Sequence, residues 1–157
     1  MQVKVDRVDK RLLEHIQRDA SLSASELGDM VGLSQAACWR RIQRLEESGV
    51  IKKRVALLDG TTINCGTIVL AHVKLSAHGR AHFDEFSQKI EALPNVLECF
   101  VVLGDQDFFI KVAVKDVYDY ERFFFNRLSS IEGVAEIRSA VALSQIKNET
   151  ALPLSNI

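Results

Sequence analysis

SASELGDMVGLSQAACWRRIQRLEESGVI, residues 23–51, decides the reading of the N-terminal half. Ser23 is placed to cap a helix, and Glu26 three residues later completes a capping box. Leu27, Met30 and Val31 recur at helical spacing and predict one apolar face. Gly32 stands where the chain must turn sharply, at a φ that glycine tolerates. Leu33 follows to plug the corner, and Ser34 is an N-cap for a second helix. On that helix Cys38, Ile42 and Leu45 form an inward stripe. Arg40, Gln43 and Glu47 fall elsewhere on the cylinder, facing solvent or DNA. Gly49 ends the helix, as glycine does just past a C-terminus. Two short helices joined by a tight turn, the second one basic, are the sequence shape of a helix-turn-helix DNA reader.

Ser34, Gln35, Ala36 and Ala37 form the end of the second helix that approaches base edges in the major groove. Small residues there permit close approach, and Gln35 is suited to bidentate pairing with adenine. Trp39 belongs to the same DNA-binding set. Arg40, Arg41 and Arg44 are candidate phosphate clamps, and Lys52, Lys53 and Arg54 follow at once. Between residues 38 and 54 these six cations face only Glu46 and Glu47, an excess of four positive charges in a chain of net charge −1. Phosphate neutralisation is a local requirement, so a basic segment in a neutral protein is informative. Two alternatives stay open: a solvated amphipathic helix pair, and for Arg41 a partner among the domain's own acidic residues.

Working outward, Asp6 and Asp9 open an earlier helix with Val8, Leu12, Leu13 and Ile16 as its stripe, ending near Asp19. Residues 51–58 alternate in part and predict a strand or the wing of a winged helix. Asp59-Gly60 marks a turn. The reading gives a DNA-binding domain over 1–58, a linker over 59–66 and a second domain over 67–157. In the second domain, 67–75 reads as a strand. Residues 79–93 read as a helix on Phe83, Phe86, Ile90 and Leu93, stopped by Pro94. Residues 96–103 and 108–114 make a hairpin around Gly104-Asp105-Gln106-Asp107. Residues 117–128 read as a helix capped by Asp116 with Tyr120, Phe124 and Leu128 inward, and 134–143 as a last strand. The order β-α-β-β-α-β predicts an α+β, ferredoxin-like fold. Its uncovered sheet face, rich in Val, Ile, Phe and Leu, predicts dimerisation. The run Phe123-Phe124-Phe125 exceeds one inward stripe and predicts a second interface.

Composition narrows the class. A chain of 157 residues, 47% hydrophobic and 26% charged, is an ordinary globular chain of one or two small domains. No apolar run reaches the ~18 residues of a membrane helix. The N-terminus lacks the apolar core of a signal peptide, so the expected compartment is the cytoplasm. Cys38, Cys65 and Cys99 are too few and too scattered for a disulfide framework or a zinc site. Cys38 reads as packing, with a thiol sensor as the alternative. His78 and His82 lie at i and i+4, a metal-ligand spacing, but no third ligand or activating Glu accompanies them. The reading is therefore no catalytic residues, no metal and no cofactor.

The segments DRVDKRLLEHIQRD (6–19), SELGDMVGLS (25–34), CWRRIQRLEESGVI (38–51), ALLD (56–59), LGDQDFF (103–109) and QIKNETALPL (145–154), in this order, span nearly the whole chain. Together they resemble the leucine-responsive/asparagine-responsive (Lrp/AsnC) family of bacterial and archaeal transcription regulators. The resemblance implies that the first half binds operator DNA with the helix from Ser34 as reader. It implies a regulation-of-amino-acid-metabolism domain in the second half, homodimers that assemble as far as octamers, and a cytoplasmic, nucleoid-associated location. It also implies a free amino acid as effector, bound between domains at an intersubunit site beside the glycine–aspartate turn. Carried over by position, the effector residues are Gly104, Asp105 and Asp107, with Gln106 between the aspartates. The chain departs from the family pattern in two places. Ser34-Gln35-Ala36-Ala37 replaces the frequent Ser-Pro-Thr-Pro, so the operator sequence does not carry over. Gln106 replaces the frequent aromatic, which leaves the effector open. On the residues alone the turn remains either an amino-acid site or a plain hairpin turn. A ligand-independent architectural DNA-binding protein of the same fold is the alternative function.

Overall fold

A computed structural model describes residues 4–76 and 83–156. The chain divides into two compact units, residues 1–57 with 147–157, and residues 58–146. The sequence reading carried the second domain to residue 157, whereas the last eleven residues here group with the first unit.

In the first unit, α1 (Arg7–Ile16), α2 (Ala24–Val31) and α3 (Gln35–Glu47) pack around Leu12, Ile16, Leu27, Val31, Cys38 and Ile42. Each helix starts where a side chain can accept the first orphan amides: Asp6, Ser23 and Ser34 are the N-caps. Asp6 and Ser23 each form a full capping box, with Asp9 and Glu26. α1 stops at Ile16, short of Asp19, with Gln17 as its C-cap. Met30, expected on the apolar face of α2, is 45% exposed, while Leu27 and Val31 are buried one turn apart. Residues 51–58 form no strand. An extended segment needs a neighbour for its ladder, and among the described residues none pairs with it; Val55, Leu57 and Leu58 stand in solvent.

The side-chain amide of Gln17 ties the C-terminal segment to this unit. Gln17 donates its Nε2–H to the Leu152 carbonyl at 3.0 Å and accepts the Leu152 N–H on Oε1 at 2.9 Å. The side chain thus copies a strand's pair of hydrogen bonds before the final 3₁₀ turn, Leu154–Asn156.

The second unit is a four-stranded antiparallel sheet with β1 (Thr67–Leu75), β2 (Val96–Val101), β3 (Phe108–Val114) and β4 (Val134–Val141) in the order β2-β3-β1-β4. α4 (Phe83–Glu91) and α5 (Val117–Phe123) supply the helices between strands. This is the predicted βαββαβ arrangement. The beginning of the predicted 79–93 helix, with His78 and His82, lies outside the described residues. Period-two alternation on β1 buries Val69, Ala71, Val73 and Leu75. They meet Phe86, Ile90, Phe108, Ile110, Tyr120 and Leu128 in one core.

α5 runs into a five-residue π turn, Phe124–Leu128, closed by Ser129 N–H on the Phe124 carbonyl at 2.8 Å. The sequence reading expected unbroken α periodicity over 117–128. The wider turn instead lets both Phe123 and Leu128, five residues apart, reach the core. Phe124 becomes half-buried and Phe125 projects outward, 64% exposed. On the uncovered sheet face the register aligns Phe100, Phe109, His72 and Arg138 in one row and Glu98, Lys111, Leu70 and Ala140 in the next. That face is mixed rather than uniformly apolar, with Lys111 and Glu98 paired at 2.9 Å.

Candidate functional site

α3 carries the first site. The Ser34 hydroxyl accepts the Ala37 N–H at 3.3 Å, so the N-terminal turn is fixed while Gln35 and Ala36 remain exposed. Ala37 is half-buried. A 100° step per residue places Ala36, Trp39, Arg40 and Gln43 together, opposite the Cys38–Ile42–Leu45 stripe. Trp39 is 55% exposed and Arg40 is exposed, with no ion pair among the described residues. Lys52 and Lys53 are also exposed. Arg54 pairs with Glu46 at 3.0 Å.

Arg41 and Arg44 turn the other way. Asp9 is the one buried charged residue among those described, with 0% exposure. Arg41 Nη1 donates to Asp9 Oδ1 at 2.8 Å and to Asp6 Oδ2 at 2.6 Å, and Arg44 Nη2 donates to Asp9 Oδ2. The Asp6 N–H also donates to Asp9, at 3.0 Å. A buried carboxylate is tolerable only when so paired. Arg41 therefore follows the alternative open in the sequence, an intradomain partner, and Arg44 joins it. Both guanidinium groups brace α3 against α1. The same cluster acts on Asp6. The Asp9 amide and the Arg41 guanidinium hold its carboxyl down at about 2. The sequence reading saw Asp9 only as an acidic N-terminal residue; the Asp-x-x-Asp spacing of a capping box was the signal available.

The second site lies in the second unit, at the β2–β3 turn. Gly104 has φ of 151°, a conformation that favours glycine, and a Cβ built on it would meet nothing within 4 Å. The Val102 N–H donates to the Asp107 carbonyl, and the Asp107 N–H to Val73, each at 3.0 Å. Among the described residues no backbone carbonyl takes the N–H groups of residues 103–106. Beside the turn is a cavity of about 320 Å³ lined by His72, Phe100, Val102, Leu103, Gly104, Asp105, Gln106 and Phe109. That volume lies in the range of small-molecule sites. Asp107 is not in the lining. Its Oδ2 accepts the Leu75 N–H at 2.8 Å and stitches the turn to β1. The walls were missed in the sequence: His72, Phe100 and Phe109 come from three strands, and only their register brings the rings together, His72 edge-on to Phe109 at 5.1 Å.

Among the described residues, no cluster of His, Cys, Asp or Glu could hold a metal ion, and no helix is long and apolar enough to cross a membrane.

Comparison with known proteins matches both halves of the chain to known families. Residues 5–52 match a winged helix-turn-helix DNA-binding family, and residues 68–152 the Lrp/AsnC ligand binding domain. The Bkd operon transcriptional regulator of Pseudomonas aeruginosa is 36% identical over 96% of this chain and 99% of its own. The glutamate uptake regulatory protein of Zymomonas mobilis is 34% identical over 96% and 92%. The crystal structure of an AsnC family transcriptional regulator from Agrobacterium tumefaciens superposes with a TM-score of 0.90 at 38% identity, covering 95% of this chain and 97% of that one. A Neisseria meningitidis transcriptional regulator in complex with L-Met gives 0.91 at 30% identity, covering 97% and 98%. Matched by family models over both halves and by relatives along nearly its whole length, this protein belongs to the Lrp/AsnC family of DNA-binding transcription regulators.

Proposed function

We propose that this regulator changes its DNA affinity when a free amino acid occupies the cavity at Gly104–Gln106. The observation that carries this reading is the turn itself. Its N–H groups are available to a carboxylate, Asp105 stands on the rim for an ammonium, and aromatic walls offer room for a side chain. The L-Met complex of the Neisseria regulator supports it by analogy.

On the DNA side, Gln35, Ala36, Ala37, Trp39 and Gln43 approach base edges. Ser34, Arg40, Lys52 and Lys53 meet phosphates. The protein works as a homodimer or larger homo-oligomer, joined through the row Phe100–Phe109–His72 and through the exposed Tyr118 and Phe125. Two-fold symmetry then makes its sites imperfect palindromes. It acts in the cytoplasm, on the nucleoid, and as a binder rather than an enzyme.

The test is fluorescence anisotropy on the DNA upstream of the protein's own gene, with each common amino acid in turn. A shift in affinity with one or a few of them supports the reading. Binding that ignores all of them favours the ligand-independent, architectural alternative.

A further inference from the structure

Trp39 stands on α3 with 55% of its surface exposed. Tryptophan is usually well buried, so a half-exposed indole on a reading helix asks for a contact outside its own unit. Among the described residues its N–H has no hydrogen-bond partner. Gln35 and Gln43 lie four residues before and after it, so the three side chains share one row of the helix. Gln35 is exposed and Gln43 half-buried. Resting on the reading of α3 as the helix that enters the major groove, we propose that Trp39 is a specificity-determining residue that reads thymine.

The two edges are complementary. An indole offers one N–H donor, no acceptor and an apolar ring. In the major groove thymine offers an acceptor, O4, beside an apolar 5-methyl group. Cytosine puts an N4 donor there and no methyl group, so it would meet the indole N–H donor to donor. Adenine and guanine offer an acceptor without a methyl group, and each satisfies only half of the side chain. The flanking residues agree, because a glutamine carboxamide pairs bidentately with N6 and N7 of adenine, the partner of thymine. Four residues of helix rise about 6 Å, close to two base-pair steps of about 3.4 Å. Where α3 runs along the groove, the row therefore presents one side chain to about every second base pair.

The test is selection of sites from a random duplex pool by the full chain, by Trp39→Ala and by Trp39→Phe, each variant checked for folding by circular dichroism. Wild type should select thymine at one position of each half-site. Trp39→Ala should accept any base there and keep its other preferences. Replacing that thymine by deoxyuridine removes only the methyl group. It should weaken wild type about fourfold, the worth of one buried methyl group. Trp39→Phe should lose a similar factor, because a phenyl ring still covers the methyl group, and Trp39→Ala should not distinguish the two bases. A Trp39→Ala protein that selects the same sequence as wild type overturns this inference, as does one that loses its preference for a base other than thymine. Wild-type affinity that ignores the deoxyuridine overturns it too. Each of these results leaves α3 standing as the reading helix. If Gln35→Ala and Trp39→Ala both leave the selected sequence and the affinity unchanged, or if wild type selects no sequence, the reading of α3 falls as well.

Discussion

Arg41 on the reading helix donates to the fully buried carboxylate of Asp9 at 2.8 Å. With Arg44, which also donates to Asp9, two of the three arginines on α3 are thereby committed to the fold, and Arg40 stands exposed with no ion pair among the described residues. The two roles separate experimentally. Arg40→Ala should lower DNA affinity and reduce the slope of log K against log salt by about one, with the melting temperature unchanged. Arg41→Ala should leave the slope near wild type and destabilise the first unit by about 2 kcal/mol, since it removes two charge-assisted hydrogen bonds from a partly exposed guanidinium. Equal flattening of the slope by both variants would return Arg41 to the phosphate backbone.

The same cluster sets an acid limit. Asp6 is held at about 2 against an ordinary 3.8, first by the Asp9 amide and then by the Arg41 guanidinium. A carboxyl lowered on folding stabilises the folded state fully above its ordinary value. That contribution drains away as pH falls from about 4 toward about 2. Helix content followed by circular dichroism should fall over that interval. Asp6→Asn keeps an N-cap oxygen but cannot titrate, so its acid limb should be shallower and its stability at neutral pH lower.

How much of this was legible in the sequence depended on how local the cause was. Ser23, Glu26 and Ser34 cap through neighbours three residues away, so their helices could be placed from residue type alone. The Cys38–Ile42–Leu45 stripe and the β1 alternation were equally plain. What escaped depends on distant partners. Arg41 and Asp9 are 32 positions apart, and an exposed cation has the same sequence signature as a braced one. Gln17 meets Leu152 across 135 positions, a contact that no local pattern announces. The Asp107 carboxylate, expected at the effector, is taken by a β1 amide. The π turn after α5 has no compositional mark either; the three consecutive phenylalanines hinted only that one stripe was too narrow for them.

The helix-turn-helix corner rests on a glycine that the sequence reading passed over. A Cβ on Gly28 would lie 2.7 Å from the Leu33 carbonyl oxygen, a backbone atom that cannot swing aside. Leu33 N–H also donates to the Gly28 carbonyl at 2.8 Å, so the turn is tied to this point from both sides. Gly32, the turn glycine the sequence singled out, has φ of 76° but open space around it. Gly32→Ala should therefore cost about 1 kcal/mol of left-handed strain. Gly28→Ala must move the segment that carries the Ser34 cap, and should cost about 3 kcal/mol and weaken DNA binding. Thermal denaturation of the two variants checks the order; a more severe Gly32→Ala would contradict it.

The link between the turn cavity and the reading helix is tested most directly by one paired titration. DNA affinity is measured by anisotropy for wild type and for Asp105→Ala, each with and without the amino acid that wild type binds most tightly. The two proteins should bind DNA equally without ligand, the amino acid should shift the wild-type affinity, and Asp105→Ala should show no shift. A ligand response that survives intact in Asp105→Ala would place the effector elsewhere and contradict the assignment of the Gly104–Gln106 cavity.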